Sequence, residues 1–183
     1  VDPGSTGGYR KGNPIRYFSQ LHVSGTGGQG RYGHIGLMPY TGERDFLEKP
    51  MRAAKETAEV GNYRAELENG LTVSLAATAR CAHYRITRAA TDEPLRLWLK
   101  PGCTLPKNAA IRDAHLHSPT PGEAHGWVAC EGGWGHDHPY LVYFYVAVSP
   151  EARDRCVEQP NCSIDSLGSK GADAVLDWDF GAA

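Results

Sequence analysis

The stretch that decides the fold class is NYRAELENGLTVSL, residues 62–75. On both sides of Asn69 and Gly70 its apolar residues alternate with charged or hydroxylated ones, which is the period of a β-strand with one buried face. Asn-Gly between two such runs is the strongest short signal for a hairpin, because both turn residues then adopt positive φ. We therefore predict an antiparallel hairpin that turns at Asn69 and Gly70.

Short strand patterns continue on either side of this hairpin. We predict strands over residues 15–23, 34–38, 51–60, 81–87, 95–99, 111–117, 126–130, 140–148 and 174–180. The run 140–148 is apolar throughout, which places it in the centre of a sheet, covered on both faces. A helical turn is expected only over 149–156, where Ser149, Pro150 and Glu151 form a helix-start pattern. The whole pattern predicts an all-β chain, an antiparallel β-sandwich over 1–183.

Composition limits the class of protein. The chain has 183 residues, 40% of them hydrophobic, which is enough for one domain with a core. Its net charge of −2 argues against nucleic acid as a partner. No apolar run reaches the length of a membrane span, so we also expect no membrane partner.

The five cysteines suggest disulfides without defining them. Cys156 and Cys162 are close enough in sequence to close a small loop, and Cys103 and Cys130 can pair across neighbouring strands. Cys81 lies in a strand pattern and is expected to be a buried thiol. There is no Cys-x-x-Cys, which argues against a zinc ribbon or redox motif. The connectivity is not determined by the sequence.

The segment richest in possible chemistry is YFSQLHVSGTGGQGRYG, residues 17–33. Its glycines allow tight turns and close approach of a ligand, and Ser24 and Thr26 add hydroxyls beside free backbone N–H groups. Such a surface suits a polyhydroxylated ligand or an anion. No Gly-Lys-Ser/Thr follows, and no helix pattern begins after it, so it is neither a phosphate loop nor a dinucleotide fingerprint. The alternative is a hairpin loop with no ligand.

Histidines form a second cluster of interest. His115 and His117 are two residues apart and share one face of a strand, His136 and His138 repeat this spacing, and His125 lies between the pairs. Such a set can bind zinc, copper or iron, so a histidine-cluster metalloprotein is one alternative function. Solvated histidines in loops bordered by glycine and proline are the other interpretation.

Among the tryptophans, Trp134 in the glycine-rich EGGWG sequence is the best candidate for stacking on a sugar ring, with Trp127 as a second platform. We expect Trp98 and Trp178 to lie in the core, and Trp98 to face away from Leu97 and Leu99. An aromatic platform with polar loops is all that a stand-alone carbohydrate-binding sandwich requires, which is a further alternative.

No residue of this chain is marked as catalytic. Glycoside hydrolysis needs two carboxylates at a set separation, and the carboxylates here lie in unremarkable contexts. Ser24 lacks the Gly-x-Ser-x-Gly setting of a hydrolase nucleophile.

Two blocks of sequence resemble the N-terminal domain of glycoside hydrolase family 92, whose members are exo-acting, calcium-dependent α-mannosidases. The resemblance runs from about residue 8 to 99. It rests on Phe18, Ser19, His22, Val23, Ser24, Gly25, Thr26, Gly27, Tyr32, Gly33, Ile35, Met38 and Pro39, and then on Ala58, Gly61, Tyr63, Leu67, Leu75, Ala77, Thr78 and Arg80. The chain departs from the family pattern at Gln20, where a histidine is usual, and at residues 83–86.

The resemblance implies a β-sandwich that packs against a C-terminal (α/α)6 helical catalytic domain. The acid and base carboxylates and most calcium ligands would belong to that helical domain, which is absent from this chain. The enzyme would invert configuration through a base-activated water, with calcium distorting the mannose ring. We accordingly expect 1–183 to be a sandwich truncated at both ends, from a secreted or periplasmic enzyme acting on mannose-containing glycans.

By the same resemblance, the segment around His22 would reach the shared sugar pocket. His22 would hydrogen-bond a sugar or orient a neighbour, although a structural role at the domain interface fits as well. The expected substrate-binding residues are Tyr9, Arg10, His22, Ser24, Gly25, Thr26, Gly27 and Trp134.

Overall fold

The computed structural model describes residues 10–19, 33–46, 49–89, 92–103, 109–132, 138–149, 153–156 and 176–181. Within these ranges the chain forms eleven β-strands and no α-helix. They are β1 (Ile35–Tyr40), β2 (Ala53–Glu59), β3 (Asn62–Leu67), β4 (Leu71–Ala77), β5 (Ala82–Arg88), β6 (Arg96–Pro101), β7 (Ala109–His117), β8 (Glu123–Gly132), β9 (Tyr140–Ala147), β10 (Arg153–Cys156) and β11 (Leu176–Asp179). A helix with the length and apolar character to cross a bilayer is accordingly not found in the described part of the chain.

The strands form three antiparallel sheets, with the orders β1-β6-β11-β10, β2-β3-β4-β5 and β7-β8-β9. Two of the sheets follow the order of the chain, because hairpin turns join consecutive strands. The first sheet brings together distant parts of the sequence, since β6 pairs with β1 on one side and with β11 on the other. The predicted all-β, antiparallel sandwich-type fold is confirmed.

Strand β6 contributes to two core clusters because both of its faces are apolar. Trp98 on one face joins a core cluster with Met38 of β1 and with Leu67 and Val73 of the β2-β3-β4-β5 sheet. Leu97 and Leu99, with Trp178, join a second cluster on the other face, which Leu116 and Ala124 of the β7-β8-β9 sheet complete. Trp98 and Trp178 are fully buried, as predicted. A third, smaller cluster contains Ala114, Val128 and Cys130.

The predicted hairpin forms β3 and β4, but its turn is one residue longer than Asn-Gly alone. The Gly70 N–H donates to the Leu67 carbonyl at 3.0 Å, so Glu68 and Asn69 are the central turn residues. Gly70 follows with φ of 81°, a left-handed conformation that favours glycine. The Asn69 side chain accepts the Leu71 N–H at 3.2 Å, which stabilises the three-residue loop.

Besides the strand predicted over 15–23, of which residues 15–19 make only isolated bridges, three strand predictions differ from the structure. Strand β9 is an outer strand of its sheet rather than a central one, and Leu141, Tyr143 and Tyr145 are exposed. The reason is that its alternate side chains face opposite sides, and only one side packs against the core. Residues 153–156 form strand β10 instead of ending a helical turn, because they pair with β11. Strand β1 continues through Pro39 to Tyr40, since β1 is an outer strand, where proline is tolerated.

The cysteine predictions are wrong at three positions. Cys103 and Cys130 are both buried free thiols, because they belong to different core clusters and do not meet. Cys81 is exposed, since it lies in the turn before β5 and not within the strand. The side chains of Cys156 and Cys162 lie outside the described residues, so their pairing stays a prediction.

Candidate functional site

Residues 10–19 lead into the glycine-rich segment and are attached to two sheets by backbone hydrogen bonds. Ile15 pairs with Met51 just before β2, with N···O distances of 2.6 and 2.9 Å. Phe18 pairs with Leu37 in β1, at 2.7 and 2.8 Å. Although a strand was predicted over 15–23, the described part of it, 15–19, makes only these isolated bridges. The lead-in therefore links the edge of one sheet to the edge of another.

A carboxylate on β2 holds the start of this lead-in. The Gly12 N–H donates to Glu56 Oε1 at 2.6 Å, and the Tyr63 hydroxyl donates to Glu56 Oε2 at 2.9 Å. Arg10 lies two residues earlier and is exposed, and its carbonyl accepts the Asn13 N–H at 3.1 Å. Arg10 is thus placed at the surface beside the clamp that Glu56 forms.

Aromatic packing fixes the other end of the lead-in. The Tyr17 ring lies 6.3 Å from Trp98, and the Phe18 ring lies 6.4 Å from Tyr63. Both rings are almost fully buried. Burial, together with the nearby Cys103, raises the pKa of the Tyr17 hydroxyl far above its ordinary value, so this group is not an acid–base catalyst. The chain consequently leaves the core at Phe18 from a rigid point.

The chain returns to the core at His34, which is fully buried. Its Nδ1 lies 3.3 Å from the Cys103 carbonyl oxygen, and its Nε2 lies 2.9 Å from the Tyr140 hydroxyl. Because a carbonyl only accepts, Nδ1 carries the proton, and Nε2 accepts from Tyr140. Burial lowers the pKa of His34, and the bond to Cys103 offsets this only in part. The imidazole is therefore a neutral anchor.

The two ends of the segment lie close together. Phe18 pairs with Leu37. His34 lies three residues before Leu37, a separation of about 10 Å in the direction of strand β1. Close packing next to His34 depends on Gly36, where an added Cβ would lie 2.7 Å from Cys103 Sγ. Phe18 and His34, on either side of residues 20–32 in the sequence, are therefore both held close to strand β1.

Most of the predicted substrate-binding residues lie beyond the described ranges. These are Tyr9, His22, Ser24, Gly25, Thr26, Gly27 and Trp134, and their roles stay predictions. Of the predicted set, only Arg10 is placed by the structure.

The histidine cluster proves to be part of a wider surface on the β7-β8-β9 sheet. His115 lies opposite Trp127, and Trp127 lies opposite Tyr143. In the next row His117, His125 and Tyr145 lie side by side. We call the surface formed by these six residues the aromatic face. His138 lies apart, just before β9, and His136 is outside the described residues.

The described residues do not gather a metal site. No group of three or more His, Cys, Asp or Glu side chains among them is arranged to hold a metal ion. The rings of His117 and His125 meet edge to face at 5.1 Å, and the His115 ring stacks on Trp127. His115 thus contacts an aromatic ring, and His117 and His125 contact one another.

Two parts of these sites were missed from the sequence. His34 has no signature, because its partners Cys103 and Tyr140 are distant in sequence. The exposure of Tyr143 and Tyr145 was signalled only weakly, by their period-2 spacing and their polar tips within an otherwise apolar run.

Comparison with known families identifies the chain. A model described as the glycosyl hydrolase family 92 N-terminal domain matches residues 2–180. Because the match spans nearly the whole chain, the chain belongs to glycoside hydrolase family 92 and represents its N-terminal domain. No curated protein and no solved structure matches the sequence. The resemblance noted at the level of motifs is thereby confirmed.

Proposed function

We propose that this chain is the non-catalytic sandwich portion of a secreted or periplasmic α-mannosidase, and that residues 22–28 contribute to its sugar pocket. The observation that carries the proposal is the family match over residues 2–180. The substrate would be a mannose-containing glycan, hydrolysed with inversion. The catalytic carboxylates would come from a helical partner domain.

The attachment of the glycine-rich segment supports this role. A binding loop must be held in place to position hydrogen-bonding groups, and loops on a rigid scaffold commonly carry such groups. Here Phe18 and His34 hold the two ends within about 10 Å of each other along β1. The glycines between them would let the main chain approach a sugar closely.

Within the segment, His22 would hydrogen-bond a sugar hydroxyl, and Ser24 and Thr26 would add further donors and acceptors. Arg10 and Tyr9, next to the clamp at Gly12, would face the same pocket, and Trp134 would stack on a sugar ring. Only Arg10 has a described position, and it is exposed. These residues would bind substrate and would not transfer protons.

The described residues include no group of three or more His, Cys, Asp or Glu side chains arranged to hold a metal ion. By the family resemblance, most calcium ligands of the proposed enzyme would belong to the helical domain. No step of the reaction is assigned to calcium within the sandwich.

The test compares the chain alone with the chain combined with a helical family 92 catalytic domain. Intact mass and gel filtration first establish which polypeptides are present. We expect hydrolysis of p-nitrophenyl α-mannoside and α-1,2-mannobiose only when the helical domain is present, and loss of hydrolysis with a chelator.

His22→Ala should lower kcat/KM about tenfold, because a tenfold change corresponds to the free energy of one hydrogen bond to substrate.

Ser74→Ala is the matched control, because Ser74 lies on β4 outside the segment. Its kcat/KM should equal that of the unchanged protein. Equal kcat/KM values for His22→Ala and Ser74→Ala would contradict the pocket role. Turnover of another glycoside in preference to mannosides would contradict the substrate assignment.

A further inference from the structure

The aromatic face is a surface on which six rings stand in two cross-strand rows. One row is His115, Trp127 and Tyr143, and the other is His117, His125 and Tyr145. Each row crosses three strands, so it extends over about 10 Å. The ring planes of His115 and Trp127 lie 13° from parallel at 6.0 Å. Such a row presents ring surfaces over a length that suits more than one sugar unit.

The outer rings are accessible in spite of their size. Tyr143 is 71% exposed and Tyr145 is 62% exposed, while a tyrosine in a core is normally covered. The opposite side of the same strand is partly buried against the core, through Phe144 and Val146. Packing of the core therefore does not require the rings of Tyr143 and Tyr145. Contiguous exposed rings of this kind mark interaction surfaces.

Polar groups accompany the rings. The Glu123 carboxylate lies beside the Tyr145 hydroxyl on this face. Imidazoles of His115 and His125 place nitrogen donors and acceptors beside the aromatic rings. At one end of the sheet Arg112 is bound by Glu131, so this cation is already neutralised. This chemistry suits a neutral ligand with both an apolar surface and many hydroxyls.

We propose that the aromatic face binds a neutral oligosaccharide or polysaccharide, with the exposed rings of Tyr143 and Tyr145 stacking on sugar rings. The imidazoles hydrogen-bond the hydroxyls at the edges of those rings. The membership of the chain in a glycoside hydrolase family makes such a chain of sugars an available ligand. The proposal does not rest on the pocket formed by residues 22–28, and either one can fail while the other holds.

The test is affinity electrophoresis of the 183-residue chain in native gels that contain neutral mannan, with galactan, xylan and β-glucan gels as a panel. We expect retardation by at least one of these polysaccharides. Tyr143→Leu and Tyr145→Leu remove the rings but keep apolar side chains, and each should weaken binding about tenfold. Leu141→Ala is the matched control, because Leu141 lies on the same side of β9 and has no ring.

Each outcome decides the proposal. Retardation that falls in both tyrosine variants and persists in Leu141→Ala supports it. Absence of retardation in all four gels, or retardation equal in all variants, overturns it. Self-association in gel filtration that Leu141→Ala disrupts and Tyr143→Leu preserves would instead identify the face as a protein interface. Thermal unfolding of each variant verifies that the fold is retained.

Discussion

At the scale of single residues, His34 shows how one buried imidazole can connect distant parts of a chain. It joins the end of the glycine-rich segment to Cys103 after β6 and to Tyr140 at the start of β9. With its proton on Nδ1, the neutral imidazole donates to the Cys103 carbonyl and accepts from the Tyr140 hydroxyl. Protonation of Nε2 would remove the acceptor that Tyr140 now uses and would place a charge in the core.

The stability of the protein should consequently depend on the protonation of His34. Burial lowers the pKa of this group in the folded state, whereas the unfolded chain keeps the ordinary pKa of about 6.5. Below that pH the unfolded state binds more protons, so the free energy of unfolding should fall as pH decreases toward the lower folded pKa. For one group the slope is at most about 1.4 kcal/mol per pH unit.

Urea unfolding between pH 5 and 8 measures this slope. His34→Gln keeps a donor and an acceptor but does not titrate, so its unfolding free energy should vary less steeply with pH below about 6.5. His138→Gln is the control, since His138 is exposed and outside the core. Identical slopes for the unchanged protein and His34→Gln would show that His34 does not carry the effect.

At the scale of elements, the lead-in to the glycine-rich segment depends on a side chain of another element. Glu56 on β2 receives both the Gly12 N–H and the Tyr63 hydroxyl. Glu56→Ala should therefore release residues 10–13 and increase hydrogen exchange at the Gly12 amide. The free energy of unfolding should fall by only about 1–3 kcal/mol, because two hydrogen bonds are lost near the surface.

Hydrogen exchange followed by mass spectrometry or NMR measures this release. Glu59→Ala is the matched control, as Glu59 lies on the same strand and is exposed. If the Gly12 amide exchanges equally fast in both variants, the clamp is not what holds the lead-in. If the proposed pocket includes Arg10, Glu56→Ala should also raise KM of the assembled enzyme.

Elements with local signals were predictable from sequence, and those defined by distant partners were not. The alternation in 62–75 predicted β3 and β4, because one face of the hairpin is buried and one is not. The apolar run 140–148 led to the wrong prediction of a central strand covered on both faces, because tyrosine resembles a core residue in sequence and yet can remain exposed. Strand β10 was missed because its partner β11 lies some twenty residues later in the chain. At the candidate site, the glycine-rich motif was recognisable in the sequence. The anchoring role of His34 was not, because its partners Cys103 and Tyr140 are distant in the chain.

At the scale of the whole molecule, strand β6 couples the core clusters. Trp98 belongs to the cluster that also contains Cys103, and Leu97 and Leu99 belong to the cluster on the other face. Cys130 lies in the third cluster, on the β7-β8-β9 sheet. Tyr140 packs against this third cluster and its hydroxyl bonds His34, which extends the connection to Cys103. Opening one cluster should therefore weaken the others.

Thiol labelling can measure this coupling. Cys81 is exposed and should react at once with iodoacetamide, whereas Cys103 and Cys130 are buried. Burial also raises the pKa of Cys103 to about 12 and that of Cys130 to about 11, which reduces the reactive thiolate further. Peptide mapping after labelling in increasing urea separates these three cysteines from Cys156 and Cys162.

If the molecule unfolds as one cooperative unit, Cys103 and Cys130 should become reactive at the same urea concentration and with the same dependence on urea. Equal urea midpoints for Cys103 and Cys130 would follow from the shared strand β6 and from the hydrogen bonds of His34 to Cys103 and Tyr140. Trp98→Phe should lower both midpoints together, although Trp98 contacts only the cluster of Cys103. A midpoint for Cys130 that stays constant while that of Cys103 falls would mean that the β7-β8-β9 sheet unfolds separately, and that the contacts across β6 do not couple the two sides.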